Sequence, residues 1–134
     1  MWKLAILTVA CIAAVWLWAP PSSAEQAYSG SGDYQVFCSS CHGTAAKGDG
    51  VIAKSLPKRP ADLTRLTARN NGLYPDDSVF KTIDGREPRS VHSGVDMPVW
   101  GDVFAKSQES LGPDAAKMRI TALVEYLKTI QEKR

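Results

Sequence analysis

Cys38-Ser39-Ser40-Cys41-His42 decides how this chain is read. Two thiols stand three positions apart, and an imidazole directly follows the second. Three ordinary uses of a Cys-x-x-Cys pair fit the rest of the chain poorly. A thiol–disulfide redox motif belongs beside a βαβ pattern, and no such alternation of strands and helices is present. A structural zinc site takes about four ligands, and would have to use every cysteine and histidine beyond the N-terminal stretch: Cys38, Cys41, His42 and His92. A plain disulfide would close a very small loop and leave His42 without a role.

Cys-x-x-Cys-His is also the attachment signature of c-type haem. Thiols at this spacing on a tight turn can reach the two vinyl groups on one porphyrin edge and form thioethers. The next residue then brings an imidazole to the iron as proximal ligand. A second axial ligand has three candidates: His92, Met97 and Met118. Met118 falls in a helical stretch beside Ile120, where methionine is ordinarily core filler or surface. Met97 lies in Gly94-Val95-Asp96-Met97-Pro98-Val99-Trp100-Gly101, where Pro98 stiffens the backbone and a loop can deliver a thioether to the iron. Met97 is the favoured ligand. His92 would give a bis-histidine iron of lower potential.

Working outward, Asp33 is placed as an N-cap for a short helix running through Tyr34, Val36 and Phe37 into Cys38. Residues 43 to 62 are rich in Gly, Lys and Pro and read as loop. Asp62 caps a helical turn over Leu63 to Leu66. Asp76, Asp77 and Ser78 open a helix through Val79, Phe80 and Ile83, with Gly85 as its stop. From Arg86 to Gly101 the chain reads as loop, broken by Pro88, Gly94, Pro98 and Gly101. Pro113 and Asp114 start a last helix whose apolar stripe is Ile120, Leu123, Leu127 and Ile130, with Val124 alongside. No segment alternates with period two, so the fold class is all-α, short helices and long loops. So little helix leaves a sparse core, which a central apolar cofactor would complete.

At the N-terminus, Met1-Trp2-Lys3 precedes an uncharged apolar run, Leu4 to Ala19, and then Pro20-Pro21-Ser22-Ser23-Ala24. That is the anatomy of a secretory signal peptide cut after Ala24. The alternative is an uncleaved anchor at the outer face of the cytoplasmic membrane, although spans usually take about 17–25 apolar residues. Cys11 leaves with the leader. Residues 25–134 then form one exported domain. The full chain of 134 residues carries 16 Lys and Arg against 14 Asp and Glu. That balance gives no basis for nucleic-acid binding.

From about Gly30 onward the chain resembles the class I cytochromes c, in particular small bacterial members with a Met-Pro-x-Trp-Gly ligand loop. The motifs that carry the resemblance are Cys38-x-x-Cys41-His42 and Met97-Pro98-x-Trp100-Gly101. Gly30, Tyr34 and Cys38 match a family spacing before the haem motif, and Leu123, Tyr126 and Leu127 match the terminal-helix pattern. The resemblance implies a cytochrome c fold around one covalent haem, with Gly30 and Tyr34 packed on Leu123 and Tyr126. It implies cofactor contacts from Cys38, Cys41, His42, Met97 and Trp100, with His42 and Met97 on iron. Arg59, Arg65 and Trp100 become candidates for the haem propionates, and Lys47, Lys54 and Lys58 for a docking rim. Where relatives have a proline whose carbonyl receives the proximal histidine, this chain has Val51, leaving that acceptor open.

The function so implied is a monomeric periplasmic one-electron carrier, not an enzyme. Its partners would be a donor dehydrogenase or cytochrome complex and an acceptor oxidase. The rivals are the electron-accepting subunit of a periplasmic dehydrogenase, and a haem sensor or weak peroxidase.

Overall fold

Ser29 starts the first helix by accepting the Gly32 N–H on its hydroxyl at 3.1 Å, which satisfies one of the donors every helix N-terminus leaves over. The computed structural model describes residues 28–87, 97–107 and 114–133. The leader and cut site expected within residues 1–24, and the alternative ligand His92, lie outside the described residues.

Helix α1 covers Gly30–Asp33 and continues through a π turn at Tyr34–Cys38 into α2, Ser39–His42. The π turn is closed by the Ser39 N–H reaching the Tyr34 carbonyl five residues back. Its extra residue shifts which side of the helix is buried. Tyr34 therefore points into the core at 0% exposure, while the following turn carries both cysteines elsewhere. The expected N-cap, Asp33, is corrected by the structure: Ser29 caps, and Asp33 lies one turn inside. Gly43, at φ +84°, ends α2.

A 3-10 turn at Ala53–Ser55 interrupts the loop that follows. Asp62 then accepts the Thr64 N–H at 3.0 Å and caps a 3-10 turn at Leu63–Arg65, which leads into α3, Leu66–Arg69. Helix α4 is Asp76–Asp84, and Gly85 stops it in the left-handed region at φ +68°. Helix α5, Trp100–Ser107, was expected to be loop at its start. Gly101 does not break it, because it sits in the first turn and its missing side chain admits Asp84 and Arg86. Helix α6, Ala115–Thr129, is the expected terminal helix and buries Ile120, Leu123, Val124 and Leu127. The described residues form helices, turns and loops with no strand, an all-α architecture. No helix among them is long and apolar enough to cross a membrane.

The N-terminal helix crosses α6 where a side chain cannot fit. A Cβ on Gly30 would overlap the Ala122 carbonyl and crowd Tyr126. One turn on, the Tyr34 ring lies 5.4 Å from that of Tyr126, in the same core as Ile120, Leu123 and Phe104. Beside the crossing, Arg119 of α6 donates from Nε and Nη2 to the two Asp33 oxygens at 2.6 and 2.7 Å. Its guanidinium also lies 4.8 Å from the Phe37 ring centre and 4.5 Å from that of Phe104. Both side chains of the pair are only 13% exposed, so neither charge is well compensated by water.

Arg119→Ala is therefore expected to cost about 3 kcal/mol in urea denaturation, since it strands a partly buried Asp33. Arg119→Lys should recover less than half of that loss, because an ammonium cannot make the paired contact.

Candidate functional site

The sequence places His42 directly after a cysteine, at the last position of α2, and the fold buries it to 8% exposure. Its Nδ1–H donates to the Ala61 carbonyl at 3.0 Å. Burial lowers the imidazole pKa, opposed in part by that carbonyl, so the ring is neutral at pH 7. With Nδ1 carrying the proton, Nε2 keeps a free lone pair. The acceptor left open by Val51 is thus Ala61, while Val51 itself is 90% exposed.

Ala61 is tied in place from several sides. The Gly48 N–H donates to the His42 carbonyl at 2.8 Å, and the Leu63 N–H to the Ala46 carbonyl at 2.7 Å. Arg59 Nε donates to the Gly48 carbonyl at 3.2 Å. From the end of the chain, Gln131 accepts the Thr67 N–H and donates to the Leu63 carbonyl. Burial opposes ionisation of Asp62, but two hydrogen bonds from Thr64, with Arg69 and Arg65 nearby, hold its carboxyl below the usual range. This cap is therefore complete at neutral pH and is lost only as pH falls through that lowered value.

These tethers shape one wall of a cleft of about 540 Å³. Cys38, Cys41 and His42 line it from α2 and the π turn before it, and Met97 and Trp100 line it from the start of α5 and the residues just ahead of it. All five residues nominated from sequence thus meet on one cavity. Arg59 and Lys58 also border it, whereas Arg65, Lys47, Lys54 and Met118 are not among its walls. Lys47 pairs with Glu132 at 3.4 Å, and Met118 is an exposed residue of α6. Trp100 is held by rings on two sides, stacked on Phe104 at 5.5 Å and edge-on to Phe37 at 5.4 Å.

Sequence reasoning missed Phe37, Ile52 and Leu56 as lining residues. A signal for the last two was available. They are apolar residues in an otherwise polar, Gly- and Lys-rich loop, and such residues need something to cover them.

The cysteines are not bonded to each other. Burial, together with Asp33 and Cys41, pushes the Cys38 thiol up to about 12. A thiol used in disulfide exchange is shifted the opposite way. Among the described residues no three His, Cys, Asp or Glu side chains gather as a metal site; His92, the fourth residue a zinc set would need, lies outside them. Compared with models of known families, with curated proteins and with solved structures, the chain matches none.

Gly48 is the position at which this wall is most easily tested. It sits at φ +72°, and a Cβ there would overlap the Pro60 carbonyl, next to the acceptor of His42. Gly48→Ala is expected to lower stability by about 2 kcal/mol in thermal unfolding.

Proposed function

We propose that this chain is an exported, class I cytochrome c-like carrier of single electrons, with one haem c in the cleft. The observation that carries this reading is the meeting of Cys38, Cys41, His42, Met97 and Trp100 on one largely apolar cavity. The donor set fits the group: two thiols for attachment, a neutral imidazole with Nε2 available, and a neutral thioether. The cavity volume falls in the range of cofactor sites, about 300–1,000 Å³.

Each thiol would add across one vinyl group. Cys38 and Cys41 would thus hold the group through two thioethers, an addition that would keep the thiol hydrogens in the product and need no outside oxidant. His42 Nε2 and Met97 Sδ would be the two protein ligands to iron. The Ala61 carbonyl holds the His42 ring in one tautomer and orientation, which tunes the donor strength of its other nitrogen. Phe37 and Trp100 close the apolar wall and keep water away. When bound, haem c supplies a ferric–ferrous couple, and a methionine ligand raises its potential relative to a second histidine.

With both ligand positions filled from the chain, no site is left for substrate, which suits a carrier rather than an enzyme. One electron is taken from a donor, such as a dehydrogenase or cytochrome complex, and one is given to an acceptor such as an oxidase. The export reading rests on the leader-like residues 1–24 and places this traffic in the periplasm, by a monomeric protein.

The test is the visible spectrum of protein produced with export and cytochrome c maturation. Sharp reduced bands of a low-spin c-type haem, with a weak far-red ferric band from iron–sulfur bonding, are expected. Met97→Ala should abolish the far-red band and leave the haem attached. Protein that matures without covalent haem would overturn the proposal.

A further inference from the structure

The least expected charge in the fold is Asp84. It is the last residue of α4, where a carboxylate faces the negative end of its own helix, and it is only 8% exposed. Arg86 answers it from across Gly85, with Nε at 2.9 and 3.1 Å from the two carboxylate oxygens and Nη2 at 2.7 Å from Oδ1. That pair alone does not explain the burial, because Arg86 is itself about half exposed and a surface location would serve it equally well.

The explanation lies in what the pair surrounds. Gly101, in the first turn of α5, is buried, and a Cβ there would overlap Asp84 Oδ1 and Arg86 Nε. The carboxylate therefore sits at the positive end of α5, where the leftover N–H groups favour an anion. On the other side of the junction, Gly85 at φ +68° brings the chain against Val99, close to its Cα. Two glycines and one ion pair thus clamp residues 99–101, the stretch that begins two positions after Met97.

We infer that Asp84 and Arg86 are positioning residues for Met97: they anchor the start of α5 so that the thioether is held in the cleft. The inference rests on the haem reading proposed above, and assigns control of how readily Met97 gives way to another ligand. Neither residue lines the cleft, so their effect passes through the backbone of 99–101.

The test uses the haem-loaded protein and imidazole as a competing ligand, followed by loss of the far-red band. Asp84→Asn keeps the shape but removes the charge that the α5 terminus and Arg86 hold. Its dissociation constant for imidazole is expected to fall about tenfold, with the far-ultraviolet circular dichroism unchanged. Arg86→Gln should move the constant the same way by a smaller factor, and it decides the matter if Asp84→Asn does not fold. Tyr74→Phe removes a hydrogen bond to the Val124 carbonyl away from the clamp. It should lower stability without changing imidazole binding. A constant equal to wild type in both clamp variants, or a shift of equal size in Tyr74→Phe, would overturn the inference. If the wild type carries no covalent haem or no far-red band, the functional proposal fails instead, and the two failures are distinct.

Discussion

The close crossing of the N-terminal helix over α6 at Gly30 is the contact on which the other parts depend. Helix axes ordinarily stand about 8–10 Å apart, according to the side chains between them. A glycine facing the Ala122 backbone lets this pair approach more closely than any side chain would allow. Once the crossing is set, Tyr34 reaches the core and its hydroxyl donates to the Gly43 carbonyl at 2.6 Å. That bond fixes the turn directly after His42. The same crossing brings Asp33 to Arg119, and Arg119 to the rings of Phe37 and Phe104.

From there the influence runs outward to the cleft. Phe37 and Phe104 hold Trp100, so the aromatic wall of the cavity is backed by the ion pair at the crossing. The opposite wall is a loop with little regular structure of its own. It is held by backbone hydrogen bonds to the turn after His42 and by Gln131 just beyond α6. The turn after His42 and the residue just beyond α6 thus converge on the loop that carries the Ala61 carbonyl. A small domain whose side chains make a modest core gains from such ties, because each loop otherwise keeps its conformational entropy.

The electrostatic pattern follows from which charges are dry. Asp33 and Arg119 are nearly buried and matched by two short hydrogen bonds. Asp84 is buried at a helix end and matched by Arg86. By contrast the pairs Lys47–Glu132, Lys81–Glu87 and Lys128–Asp76 are about half exposed, and pairs of that kind contribute little to stability. Among the donors that line the cleft, the imidazole of His42 is neutral, Met97 offers a thioether and the Cys38 thiol stays protonated at neutral pH.

Much of this was legible in the residues alone where the signal is local. Cys38-x-x-Cys41-His42 is contiguous, so its chemistry needs no tertiary information. Helices α4 and α6 carry their own apolar stripes, and Asp62 and Gly85 act on neighbours within two to four residues. What the sequence could not decide is what depends on distant partners. Gly101 read as a breaker because the residues that fill its place, Asp84 and Arg86, come from another element. Asp33 read as a cap because its partner, Arg119, lies on the terminal helix. The acceptor of the His42 proton is a backbone carbonyl, and since every residue has one, no sequence pattern marks Ala61 out. Sequence alone determined the kinds of donor the chain can offer; only the packing of α1 and α5 on α6 brought donors far apart in the chain to one cavity.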